Sequence, residues 1–234
     1  MRRPSWAGGA STRVSTRHAR VRALLLLAVA GGLFADDEVK TEHLDFPSGG
    51  TLRVKNSTGE LTVEAWDQSG IEITTIKSPK NAAASLELAQ VKVERQKDEV
   101  VVTTTFPKHG ALVRPFTGLT NVRLEYRIKA PRSARLIVDH NNGEVHIDGI
   151  TGELHVTDHK GLITIHAPQD GQYAIDAKAK LGAIDSDFPG REQSKLKFGH
   201  TFINEASPSS QKMYLAIGFG DITILAIHRP QNPK

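Results

Sequence analysis

Period-two alternation of apolar and polar residues runs through this chain from Asp36 onward. It is visible in Leu52-Arg-Val54, Leu61-Thr-Val63, Ile71-Glu-Ile73, Val91-Lys-Val93 and Val122-Arg-Leu124-Glu-Tyr126-Arg-Ile128. Alternating β-branched and aromatic residues, interrupted by Gly, Asn, Asp and Pro, specify short half-buried strands. Val91–Arg95 and Val100–Phe106, joined by Gln96-Lys-Asp-Glu99, predict a hairpin. Ser78–Gln90, with Ala82-Ala-Ala84, reads as one helical turn or a polar loop. Pro107–Leu119, with two prolines and two glycines, reads as a longer loop. The tail Arg229–Lys234 is expected to be disordered.

A repeat organises the strands. The unit Gly-x-apolar-x-apolar occurs at Gly143, Gly152, Gly161, Gly171, Gly220 and near the start at Gly59, and more loosely at Gly182. The spacings from Gly143 to Gly182 are 9, 9, 10 and 11 residues. Gly suits such a step because a tight corner often needs a positive φ, which a Cβ makes costly. Two units make a coil of 18 to 21 residues. Each unit would then stack on the one two steps earlier, pointing Val145, Ile147, Leu154, Val156, Ile163 and Ile165 into one apolar column. One coil cannot bury that face alone, whereas a stack can. The expected fold is all-β, a single-domain stacked β-solenoid over residues 36–228. An antiparallel sandwich with Gly turns is the competing architecture.

The first 35 residues stand apart from this pattern. Six arginines and no acidic residue precede the apolar run Ala23–Ala35, a layout of signal-peptide type. Cleavage is expected after Ala35, with Ala30 as the alternative. The run is too short and Gly-interrupted for a membrane span, which needs roughly 20 apolar residues. Removing the leader leaves 24 basic against 26 acidic side chains, a net charge of −2, so the sequence pI near 9.3 comes largely from the leader. No basic excess remains to favour a nucleic-acid partner. The chain has no cysteine, so disulfides, thiolate metal sites and a lipid-anchored N-terminus are excluded. Export to a bacterial periplasm, cell surface or medium is the expected localisation, with no stable membrane span after leader removal.

Several segments share a further likeness. Tyr126–Pro131, Leu136–Gly149 with Gly152-Glu-Leu, Asn56–Trp66 and Ile217–Ile224 together resemble the bacterial adhesin-like family of exported β-solenoid domains. The resemblance covers most of the mature chain and rests on the glycine units. It implies a stacked β architecture outside the cytoplasm and carries no catalytic motif.

Two functional readings follow. The first is a non-catalytic cell-envelope binding or scaffold module whose partner is a cell-surface polymer or an envelope protein, with no cofactor. The sequence carries no HExxH, P-loop, dinucleotide fingerprint or serine-nucleophile motif. The second is a polysaccharide hydrolase or lyase on the same scaffold. It would use clustered carboxylates, with Asp185 and Asp187 as the nearest pair and Asp139, Asp148 and Asp158 as further candidates, all of which also read as solvated residues beside Gly turns. Trp66 is expected to cap the open end of the stack. Counting from alternate glycines places His146, Thr164 and Asp185 in one outer row and Asp148, His166 and Asp187 in the next. Imidazole with carboxylate suits a divalent cation, so His146, Asp148 and His166 form a candidate metal site.

Overall fold

The computed structural model describes residues 37–80, 86–106, 121–194, 199–204, 207 and 210–228. The expected leader (1–35), the expected loop Pro107–Leu119 and the expected tail Arg229–Lys234 lie outside the described residues. So does the alanine run of the polar stretch, from which only a 3-10 turn, Leu86–Leu88, is described.

Thirteen strands form a single mixed sheet, and no α-helix occurs among the described residues. In chain order they are β1 Glu38–Leu44, β2 Thr51–Trp66, β3 Ile71–Pro79, β4 Gln90–Gln96, β5 Glu99–Thr105, β6 Val122–Pro131 and β7 Arg135–Asp148. There follow β8 Leu154–Pro168, β9 Tyr173–Leu181, β10 Ile184–Ser186, β11 Arg191–Ser194, β12 His200–Ile203 and β13 Gln211–Ile227. The alternation predicts which side chains face inward. Val145, Ile147, Leu154, Val156, Ile163 and Ile165 are all buried in one continuous core.

The longest strands, β2, β7, β8 and β13, each bend at a glycine into two arms. The arms of β7 and β8 pair in parallel with an offset of 18 residues: Leu136 faces Leu154, Gly143 faces Gly161 and Val145 faces Ile163. The corner glycines stack as Gly59–Gly143–Gly161–Gly220, with Gly182 next to Gly220. A Cβ on Gly143 would sit 1.8 Å from the Gly59 carbonyl oxygen, so the backbones themselves fill the corner. Inward residues before the corner fall on even numbers in β7 and on odd numbers after it, because the bend inserts an extra outward residue.

Chain order and spatial order differ at both ends. β13 lies between β8 on one side and β9 with β10 on the other, and β2 lies between β5 with β6 and β7. The Gly182 unit therefore packs beside Gly220, not beside Gly161 as sequential stacking would have it. Alternation dictates which side of a strand is buried but is indifferent to which strand lies alongside, so β13 fits this slot as well as β9 and β10 would. Antiparallel strands close the ends: β3 and β1 beside β6, β4 beside β5, and β12 and β11 beside β9. The β4–β5 hairpin matches the prediction, turning through Lys97 at φ 51°. Trp66 does not cap an open end, because β2 is paired on both sides. Its ring lies at the end of β2 and donates from Nε1 to the Gly70 carbonyl at 3.2 Å.

Candidate functional site

The outer surface of the second arms carries the residues that the sequence singles out. One row runs Thr62–His146–Thr164–Thr223–Asp185 across β2, β7, β8, β13 and β10. The row beside it runs Glu64–Asp148–His166–Leu225. Asp148 and His166 are neighbours as the spacing predicts, with His166 Nδ1 3.9 Å from Asp148 Oδ2. His146 turns instead toward Glu144, its Nε2 3.1 Å from the carboxylate. Asp185 and Asp187 are set off from His166 by the intervening β13, which places Thr223 and Leu225 between them. Among the described residues no group of three or more His, Cys, Asp or Glu side chains is placed to hold a metal ion.

The carboxylates of the hydrolase reading occupy different surfaces. Asp139 faces outward on a first arm, Asp148 faces outward on a second arm, Asp185 on β10 and Asp187 just after it are exposed, and Asp158 faces inward. Asp158 is 4% exposed and is not the solvated turn residue that its position before Gly161 suggests. It belongs to a buried polar row at the corner, where Ser57, His140 and Asp158 sit at paired positions on β2, β7 and β8. The signal was available in the alternation: Leu136-Val138-His140 and Leu154-Val156-Asp158 each continue an inward phase. Ser57 Oγ lies 2.7 Å from His140 Nδ1, while His140 Nε2 and Asp158 Oδ2 have no hydrogen-bond partner among the described residues. The serine hydroxyl is fully buried, so this Ser, His and Asp set has no access to a substrate.

Burial sets the titration of this row. It pushes the Asp158 carboxyl up to about 6 and the His140 imidazole down to about 4. The native state therefore holds the Asp158 proton more tightly than the unfolded chain does. That contribution is complete at low pH and is lost as pH rises through about 6. His140 acts oppositely, since the unfolded chain takes up a proton below pH 6.5 that the native ring refuses until about 4. Asp158→Asn removes only the first effect. The variant's stability relative to the wild type is expected to fall by about 2 kcal/mol between pH 7 and 4.5 in urea titrations. Parallel pH profiles for the two proteins would refute the assignment.

The corner also builds a concave site on its outer side. At the bends of β7 and β8 two consecutive residues face solvent, Asn141-Asn142 and His159-Lys160. Asn141, Asn142 and Lys160, with Thr58, form one wall of a cleft of about 530 Å³. The opposite wall comes from the end of β3 and the start of β6, where Pro79 pairs with Val122 and Lys80 N donates to the Asn121 carbonyl at 2.7 Å. That pairing carries Lys80 and Arg123 to the cleft, and half-buried Phe106 reaches it from the end of β5. Among the described residues three cations line it, Lys80, Arg123 and Lys160, and no carboxylate does. Thr58 Oγ1 is committed to the Asn142 carbonyl at 3.0 Å, which fixes the two corners against each other. Sequence reasoning missed this cleft because its cations come from three segments far apart in the chain.

A second surface feature is an aromatic stack on the first arms. The His155 and Tyr214 rings stack at 4.6 Å, and Lys178 Nζ lies 5.1 Å from the Tyr214 ring centre. His155 and Lys178 belong to the strands on opposite sides of β13, so neither face of Tyr214 is left open for a ligand ring.

Fold and site together define an all-β chain whose sheet bends along a glycine row and carries a cationic cleft at the bend. No family model matches the chain, and no curated protein matches it. Among solved structures it is similar to a putative cell adhesion protein from Clostridium sporogenes, at 17% identity and a TM-score of 0.49, covering 82% of this chain and 99% of that one. It is also similar to a putative adhesin from Bacteroides fragilis, at 11% identity and a TM-score of 0.31, covering 83% of this chain and all of that one. No helix among the described residues is long and apolar enough to cross a membrane.

Proposed function

We propose that this chain is an exported, non-catalytic, adhesin-like binding module of the bacterial cell envelope, built on a β-solenoid scaffold. The 18-residue parallel register of β7 and β8 supports the scaffold reading, since there two units advance the chain by one strand. The single observation that carries the binding reading is the outer face of the second arms. It presents Thr62, His146, Thr164 and Thr223 in register across four neighbouring strands. Strand spacing puts these groups about 4.8 Å apart, a regular flat array suited to an extended repeating ligand. The carboxylates of the alternative hydrolase or lyase are divided between both outer surfaces and the core.

Incubation of the purified chain with insoluble cell-wall and exopolysaccharide fractions tests this function. The protein is expected to deplete from the supernatant onto at least one fraction without releasing reducing ends. Retention in the supernatant with every fraction would refute the binding role, and turnover of a polysaccharide would replace it with the hydrolase or lyase.

A further inference from the structure

The cleft at the corner gathers three cations and no acid among its described lining residues. Several outward cations of other strands face acids, Arg53 with Glu99, Lys77 with Glu38, Arg127 with Glu125, Lys129 with Glu72 and Lys178 with Asp176, while unpaired ones such as Lys55 and Lys212 stand apart from this cleft. Lys80, Arg123 and Lys160 take part in none of the ion pairs among the described residues, and all three are exposed. Three like charges around one concavity repel one another, and a cleft with low-dielectric walls concentrates their field on its interior. The remaining lining suits a ligand with more than charge. Asn141 and Asn142 are exposed and bring side-chain amides able to donate, while Phe106 and Val122 supply an apolar wall.

We propose that this cleft is an anion-binding site that takes a phosphate or carboxylate group of an anionic envelope polymer. Arg123 offers a planar fork of donors matched to the two oxygens of either group, and Lys80 and Lys160 act as flanking point charges. The apolar wall packs against the carbon skeleton of the adjoining unit. The source of the anion rests on the polymer-binding function proposed above, whereas the site itself rests on the cleft alone.

Affinity electrophoresis of the full chain through gels containing polygalacturonate, poly(glycerol phosphate) or neutral dextran tests the site and separates the two anion sources. Retardation is expected in one or both anionic gels, weakening as salt rises, and not in dextran. An Arg123→Gln/Lys160→Gln variant is expected to bind at least tenfold more weakly. A Lys92→Gln/Lys212→Gln variant, with the same change in net charge on other surfaces, is expected to match the wild type. All three proteins should melt together, since every substituted side chain is exposed. Equal weakening by both double variants would reduce the effect to net charge and overturn the site. Tighter retention by single-stranded DNA than by either polymer would overturn the ligand class. If the cleft variant still depletes onto envelope fractions as the wild type does, the anion site fails while the binding module stands.

Discussion

Gly143→Ala is expected to yield no folded protein at room temperature. Gly143 adopts φ 134°, outside the range that a residue with a side chain normally enters. The added methyl would also stand 1.8 Å from the Gly59 carbonyl oxygen, 2.7 Å from its carbonyl carbon and 3.0 Å from its Cα. These are backbone atoms of the adjacent strand, so no side-chain rotation relieves the clash. Relief requires β2 and β7 to part at the corner, which breaks ladder bonds and uncovers the core beneath. A loss of more than about 5 kcal/mol follows, comparable with the whole stability of a typical domain. Gly49→Ala is the matched control. Gly49 also has a positive φ, 75°, but a Cβ there meets nothing within 4 Å. Only backbone strain of about 1–2 kcal/mol should be felt. Circular dichroism and urea unfolding of both variants would decide the matter, and equal stabilities would show that the glycine row is not a packing constraint.

Ile163→Asp is expected to be nearly as severe, by a different mechanism. Ile163 is fully buried on β8 between Val145 and Ile222. Its replacement leaves a cavity, worth about 2–5 kcal/mol for a large buried aliphatic, and places a carboxyl among apolar neighbours with no partner. Thr164→Lys, one residue along, puts a charge on the outer row between His146 and Thr223 and should change stability by less than about 1 kcal/mol. Thermal melts of the pair test the alternation directly. A mild Ile163→Asp, or a Thr164→Lys as damaging as it, would mean that the strand faces the other way.

Much of the candidate chemistry was legible only in part, and the reason is geometric. Period-two alternation located the inward column and the outward rows, so Asp148 and His166 could be placed side by side from spacing alone. The same spacing could not orient the His146 ring, which turns along its own strand to Glu144. The buried Ser57, His140 and Asp158 row followed the alternation, yet polar residues beside glycines read first as turn residues. The cationic cleft had no local signature at all. Lys80, Arg123 and Lys160 are separated by 43 and 37 positions, and nothing near any of them marks it as part of a site.

The amino-acid sequence by itself determined the strand content, the buried side of the central strands, the corner glycines and the 18-residue offset of β7 on β8, because side-chain period and glycine backbone freedom are local properties. Tertiary structure decided which strands became neighbours. β2 and β13 both slot between strands that sequential stacking would have joined, since an inward-facing row of Val, Ile and Leu packs equally well against any other such row. That choice separated Asp185 and Asp187 from His166, buried Trp66's strand inside the stack, and brought the end of β3 and the start of β6 up to the β7–β8 corner. Long-range packing therefore fixed where the charged groups meet, while the local pattern had fixed only which way they face.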